Sequence, residues 1–247
     1  SIKGAFSFYS ALKNKLPNKP LFLSISERNF EKYSHVNFPD KEWLVWAVFF
    51  DTPEETSKSV TEIKSLALKM SAFEVETSYL KEKWRDISDA EVSIGLSARN
   101  LIFQEYWISD ERLEDFIGYY INLREKFKFP TASYAISGEK GWTRVKIFGL
   151  TDISRTVEFF AVKAFLHDLS VQAFNQGDRL YTIGIVNTFY LIKYEKEEVL
   201  NWKILKDKLD PKHLFNSFRL IEAKMKFWRV ALLFKTAKIL YKIFKRK

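Results

Sequence analysis

Residues 43–55 read Trp43-Leu44-Val45-Trp46-Ala47-Val48-Phe49-Phe50-Asp51-Thr52-Pro53-Glu54-Glu55. The first part, to Asp51, is an apolar run of strand length rich in aromatic and β-branched residues, which predicts a buried β-strand. It passes without a spacer into a helix start marked in three ways. Thr52 is placed to cap, Pro53 suits the first helical position because its missing N–H has no intrahelical partner there, and Glu55 completes a capping box. Val60, Ile63, Ala67 and Met70 then recur at helical spacing. The alternation of Phe73 and Val75 within Ala72–Tyr79 predicts a return strand.

The same order of elements recurs further along. Asn100–Trp107 predicts a strand, and Ser109 followed by Asp110 and Glu111 places a cap and acids at a helix start. Leu113, Phe116, Ile117, Tyr120 and Phe127 form an apolar stripe that Pro130 ends. Strands are expected at Thr131–Ser137 and Trp142–Phe148, around the turn Gly138-Glu139-Lys140-Gly141. A helix over Asp152–Gln176, capped by Thr151, follows and stops at Gly177. Two strand–helix–strand units in one sheet predict an α+β fold: a ferredoxin-like antiparallel sheet with helices on one face, plus a C-terminal amphipathic helix. Residues 1–40 read as a lead-in that packs on the body, 41–222 as the α+β domain, and 223–247 as the basic helix.

Composition narrows the chemistry. Apolar residues are 47% of the 247, so the chain can bury a core. Cys is absent, which excludes thiolate nucleophiles, Cys-held metals and iron–sulfur clusters within this chain. His35, His167 and His213 show no ligand spacing, and no metal site is expected. With only 8 Gly and no Gly-x-Gly-x-x-Gly or Walker pattern, no phosphate-cradling loop is expected either. No long apolar run precedes Lys13, and the longest uncharged run, Leu180–Ile192, is too short to span a bilayer. The small first residue suits a natural N-terminus. The expectation is a cytoplasmic protein, peripheral on the inner face of the cell membrane.

The charge of +9 is localised. Residues 224–247 hold nine Lys and Arg and no Asp or Glu; subtracting nine from 40 leaves 31 basic against 31 acidic residues, so the body is neutral. From Val230 onward, Leu233, Phe234, Ala237, Leu240, Tyr241 and Phe244 share a broad apolar face, with Lys235, Lys238, Lys242, Lys245 and Arg246 opposite. Such a helix suits an anionic membrane surface, with Trp228, Arg229, Phe234, Lys235, Lys238, Lys242, Phe244, Lys245 and Arg246 as the contact set. Packing on the body or a partner subunit is the other reading. Nucleic acid is not expected as a partner, because no basic groove on the body extends the patch.

The segment Gln176–Tyr190 is uncharged beyond Arg179 and carries Tyr181, Gly184 and Asn187 among apolar residues. It reads either as a buried strand with tyrosines at its edges or as a pocket wall in which Tyr181 and Asn187 meet a planar ring. A helix over Glu195–Lys208 and the stretch Lys208-Leu209-Asp210-Pro211-Lys212-His213-Leu214-Phe215-Asn216 follow. Together with Tyr181-x-x-Gly184-x-x-Asn187, that stretch resembles the C-terminal domain of FAD-linked oxidases of the vanillyl-alcohol oxidase and p-cresol methylhydroxylase type, in the branch of D-lactate dehydrogenases and the glycolate oxidase D subunit. The resemblance spans roughly residues 40–220.

The resemblance implies the substrate-side subunit of a split FAD-dependent oxidoreductase of the lactate or glycolate type. FAD would be shared with or supplied by an FAD-binding partner chain, with an iron–sulfur electron-transfer protein as a further partner. It implies cofactor contacts at Tyr181, Asn187 and Asn216. Arg144 and Arg179, and also Arg155, are candidate carboxylate-binding residues, although surface or ion-paired arginines have the same signature. The sequence departs from the family at several points. The FAD-binding half has no counterpart, and neither do the branch's histidines near Ser137–Trp142 and Tyr181–Gly184. Ser217-Phe218-Arg219 stands where Pro-Gly-Lys is usual. No catalytic residue is assigned, and a non-catalytic membrane-associated adaptor that reuses the fold is the alternative reading.

Overall fold

Alternation along the strands sorts a six-stranded sheet into two unlike faces, and that difference positions everything else. The computed structural model describes residues 2–32, 42–75, 81, 92–94, 100–139, 141–152, 154–181, 188–212 and 226–245. The strands are β1 (Phe22–Glu27), β2 (Trp43–Val48), β3 (Asn100–Ser109), β4 (Thr131–Ser137), β5 (Trp142–Thr151) and β6 (Arg179–Leu180). They run in the order β2-β1-β4-β5-β3-β6, with every described pairing antiparallel. The helices are α1 (Ile2–Lys15), α2 (Arg28–Glu31), α3 (Pro53–Lys69), α4 (Leu113–Phe127), α5 (Thr156–Asn175), α6 (Thr188–Tyr194), α7 (Lys196–Leu209) and α8 (Phe227–Lys245).

One face carries Leu23, Ile25, Tyr106, Ile108, Ala135, Val145 and Ile147, packed against Tyr9 and Leu12 of α1, Phe116 and Ile117 of α4, and Phe165 and Leu169 of α5. Each large side chain removed from water contributes about 1.5–3 kcal/mol, so this layer holds the fold together. A buried acid at the end of β1, Glu27, is satisfied in place. Glu27 accepts hydrogen bonds from Tyr120 at 3.0 Å, Ser133 at 2.8 Å and Arg124 at 3.2 Å. Burial pushes its carboxyl pKa up, against the pull of Arg124, Ser133 and Tyr120.

The capping box read from sequence is present: the Glu55 N–H donates to the Thr52 hydroxyl at 3.4 Å, and the Thr52 N–H donates to the Glu55 carboxylate at 3.3 Å. The residues read as a lead-in supply α1 and β1, and β1 lies inside the sheet between β2 and β4. The expected return strand is not formed over 72–75, and 76–79 lie outside the described residues. Its cause is local: Ser71 turns the chain through the left-handed region at φ 56, and Phe73 is left 74% exposed.

Thr151 does not cap α5. It ends β5 opposite Asn100, and the cap position falls to Arg155, which offers no side-chain bond. Among the described residues of the segment Gln176–Tyr190, Arg179 and Leu180 are strand; 182–187 lie outside the described residues, and Thr188–Tyr194 is helical.

The C-terminal helix packs on the body. Val230, Phe234, Ala237 and Tyr241 of α8 are buried, and the Lys238 ammonium meets both oxygens of Asp168 on α5 at 2.7 Å. Phe227 and Phe234 lie with Phe189 and Tyr190 around the His167 ring, with centroids 5.1–6.3 Å away. Burial, with Lys238 and Lys193 nearby, lowers the His167 pKa from 6.5 to about 4. His167 is therefore neutral when folded, while the unfolded chain binds a proton below its ordinary value. Stability is expected to be complete above pH 6.5 and to fall as the pH drops toward 4, by on the order of 3 kcal/mol. Urea unfolding across this range should show the decline, and His167→Gln should remove that share of it.

Candidate functional site

Among the described residues, the opposite face of the sheet is covered only in part, by α2 and the short helical stretch 92–94. There β5 presents Arg144, Lys146, Phe148 and Leu150, the residues that alternate with the core-facing Val145 and Ile147. β3 presents Phe103, Glu105 and Trp107, and β4 presents Tyr134 and Ile136. Phe30 of α2 and Ile94 cover part of this face by packing on Ala132, Tyr134, Phe148 and Leu150. The cover stops short of Phe103 and Tyr181, each 43% exposed.

Pairing register places the residues of the open part in rows. Trp107 lies opposite Arg144 on one side and opposite Arg179 on the other. Tyr181, just past β6, continues the ladder by donating its N–H to the Glu105 carbonyl at 3.0 Å. Its ring meets Trp107 edge-on at 5.1 Å and lies under the Arg144 guanidinium, also at 5.1 Å. Desolvation works against the Arg144 charge, but Tyr134, Tyr181 and Glu105 outweigh it and raise its pKa. Arg144 makes no ion pair among the described residues.

The next row holds a buried ion pair. Lys146 lies 3.5 Å from Glu105, its direct cross-strand partner, and its ammonium stands over Phe103 at 4.4 Å and Phe148 at 5.3 Å. Two further features fix the site. Buried Asp178 accepts the Ser109 N–H at 2.9 Å and an Arg112 guanidinium N–H at 2.6 Å, which holds β6 against β3. Gly138 in the β4–β5 hairpin lies against the Trp107 indole so closely that any Cβ would collide with the ring.

The sequence-derived candidates divide accordingly. Arg144 and Tyr181 come together. Arg179 shares their row but is 59% exposed and pairs with Glu195 at 3.6 Å. Arg155 lies elsewhere, pairing with Glu158 at 3.5 Å beside a cavity of about 690 Å³ that Lys128 and Tyr241 also line. Asn187, Asn216 and Arg246 lie outside the described residues. Trp107, Lys146, Glu105 and Asp178 do not stand out in the sequence. For the first three the signal is the period-two placement of charged and aromatic residues opposite the apolar ones in β3 and β5; Asp178, just before β6, carries none.

The fold has solved counterparts. The crystal structure of p-cresol methylhydroxylase with substrate bound matches 89% of this chain and 49% of that one, at a TM-score of 0.66 and 12% identity. The chain therefore shares its fold with about half of that structure. Two crystal forms of alkyldihydroxyacetonephosphate synthase match 85% and 87% of the chain at a TM-score of 0.45, with 14% and 12% identity. The chain spans about half the length of the first of these structures and 41% of the other two. No protein-family model matches the sequence, and no curated protein does.

The open face suits one part of a flavin and not another. Trp107 and Tyr181 offer aromatic surface and Arg144 offers a cation, groups that a planar, electron-accepting ring can use. Among the described residues no glycine-rich loop is present to cradle a pyrophosphate. Lys146→Ala is expected to cost about 3 kcal/mol, because buried Glu105 loses the cation directly across the strand. The double change Glu105→Leu with Lys146→Met should recover most of that loss in urea unfolding.

Proposed function

We propose that this chain is the substrate-side portion of an FAD-dependent oxidoreductase, with the sheet face that bears Arg144, Trp107 and Tyr181 closing over a flavin held by an FAD-binding partner chain or by a further part of the same polypeptide. The carrying observation is the cluster of Arg144, Trp107 and Tyr181 on an open face of a fold shared with a flavoenzyme. Flavin, when bound, supplies the two-electron acceptor. The residues of this chain orient the substrate and exclude water. Arg144, charged and free of a carboxylate partner among the described residues, has the fork geometry that grips a carboxylate, so the substrate class is a 2-hydroxy acid of the lactate or glycolate type. Electrons leave through an iron–sulfur partner, and the protein works peripherally on the inner face of the cell membrane, held there by α8.

One observation favours a second reading. No histidine lies on the described part of the open face, and Lys146 and Glu105 neutralise each other there. A non-catalytic membrane-associated adaptor would have these features.

Isolation of the native protein, followed by acid release of any flavin, separates the two. The first reading expects a flavin-bearing partner or domain to co-isolate. It also expects Arg144→Ala to raise KM for a 2-hydroxy acid by about a hundredfold, with kcat little changed. A native preparation free of flavin contradicts it, and a partner that keeps full activity without this chain selects the adaptor.

A further inference from the structure

The C-terminal helix carries two apolar stripes, and the fold uses one of them. α8 docks through Val230, Phe234, Ala237 and Tyr241, all buried. A second set, Trp228, Leu232, Ile239 and Ile243, begins two residues earlier. At 3.6 residues per turn it points to the opposite side of the helix. These four residues are each 51–58% exposed. Leu233 and Leu240 are also exposed and widen the apolar area.

Charge surrounds this stripe without compensation. Arg229 and Lys235 flank it on either side, both exposed, and neither makes an ion pair among the described residues. Lys238, by contrast, faces the body and is held by Asp168. Residues 224–247 contain nine Lys and Arg and no carboxylate side chain.

We infer that this outward stripe is the surface by which the protein rests on an anionic bilayer. α8 keeps its docked face on α5 and lays Trp228, Leu232, Ile239 and Ile243 among the headgroups and upper acyl chains, while Arg229 and Lys235 reach the lipid phosphates. Large aliphatics with a Trp, edged by cations and lacking acids, match the chemistry of an interfacial helix, and Trp prefers that depth. Protein interfaces are instead depleted in Lys. No described helix is long and apolar enough to cross a membrane, which leaves lying on the surface as the mode of contact. The sequence pattern alone turns Phe234 and Tyr241 toward lipid; the packing on α5 reverses the helix. The inference deepens the membrane placement proposed above and is independent of the flavin.

Co-sedimentation of the full chain with phosphatidylcholine vesicles, with and without phosphatidylserine, tests it. The expected result is binding that requires phosphatidylserine, weakened about tenfold by Leu232→Ser with Ile239→Ser, because less apolar surface then leaves water on binding. Arg229→Gln with Lys235→Gln should weaken it by about thirtyfold at low salt. All four positions are exposed, so an unchanged thermal melt accompanies both effects. Three results overturn the inference: no binding to anionic vesicles, vesicle binding unchanged by the serine pair, or concentration-dependent self-association that the serine pair abolishes. The last would assign the stripe to a second copy of the chain. Flavin content of the native preparation has no bearing on any of these outcomes.

Discussion

The antiparallel pairing of β3 with β5, from Asn100–Thr151 to Ser109–Trp142, governs both faces of the molecule. Side chains alternate with a period of two, so a slip of one residue would send Tyr106, Ile108, Val145 and Ile147 to the open face and bury Arg144 and Trp107 under α5. The helix-side core fixes the register because those apolar residues are buried against α1, α4 and α5. Once the register is set, the composition of the open face follows. Glu105 must face Lys146, and Trp107 must lie between Arg144 and Arg179. Packing on one side of the sheet thereby places polar chemistry on the other.

Two local devices then turn a row of residues into a site. Asp178, held by Arg112 and the Ser109 backbone, keeps the short β6 in place and brings Tyr181 beneath the Arg144 guanidinium. The absence of a side chain at Gly138 lets the Trp107 ring lie down on the hairpin. Neither device touches a ligand. Both set where the aromatic and cationic groups stand, as residues supporting a binding site do.

Features with a local cause were legible in the sequence. The Thr52–Glu55 capping box and the stripe of α4 depend on neighbours a few residues away and form as read, whereas the strand before the box is shorter than read: it ends at Val48 on the sheet edge and leaves Phe50 88% exposed. Features with a distant cause were not. Thr151 has the composition of a cap, but its pairing with Asn100 holds it in the sheet. Phe73 and Val75 alternate as a strand does, yet the left-handed turn at Ser71 comes first. In the tail the basic amphipathic helix was visible, but which of its sides is inward depends on Asp168 and the aromatic residues around His167. Helical spacing alone cannot choose between two apolar stripes. Within the site, Arg144 and Tyr181 were found separately, and the Trp107 that joins them was not, because its importance lies in register rather than in motif.

Closure of the Arg144–Trp107–Tyr181 face over a flavin-bearing partner or domain leaves a footprint on that face. Hydroxyl-radical labelling of the native assembly, set against the isolated chain, reads it residue by residue. Strong protection of Tyr181, Phe103 and Trp107 is expected in the assembly. Equal labelling of Tyr181 and Phe103 in both forms would contradict closure over this face.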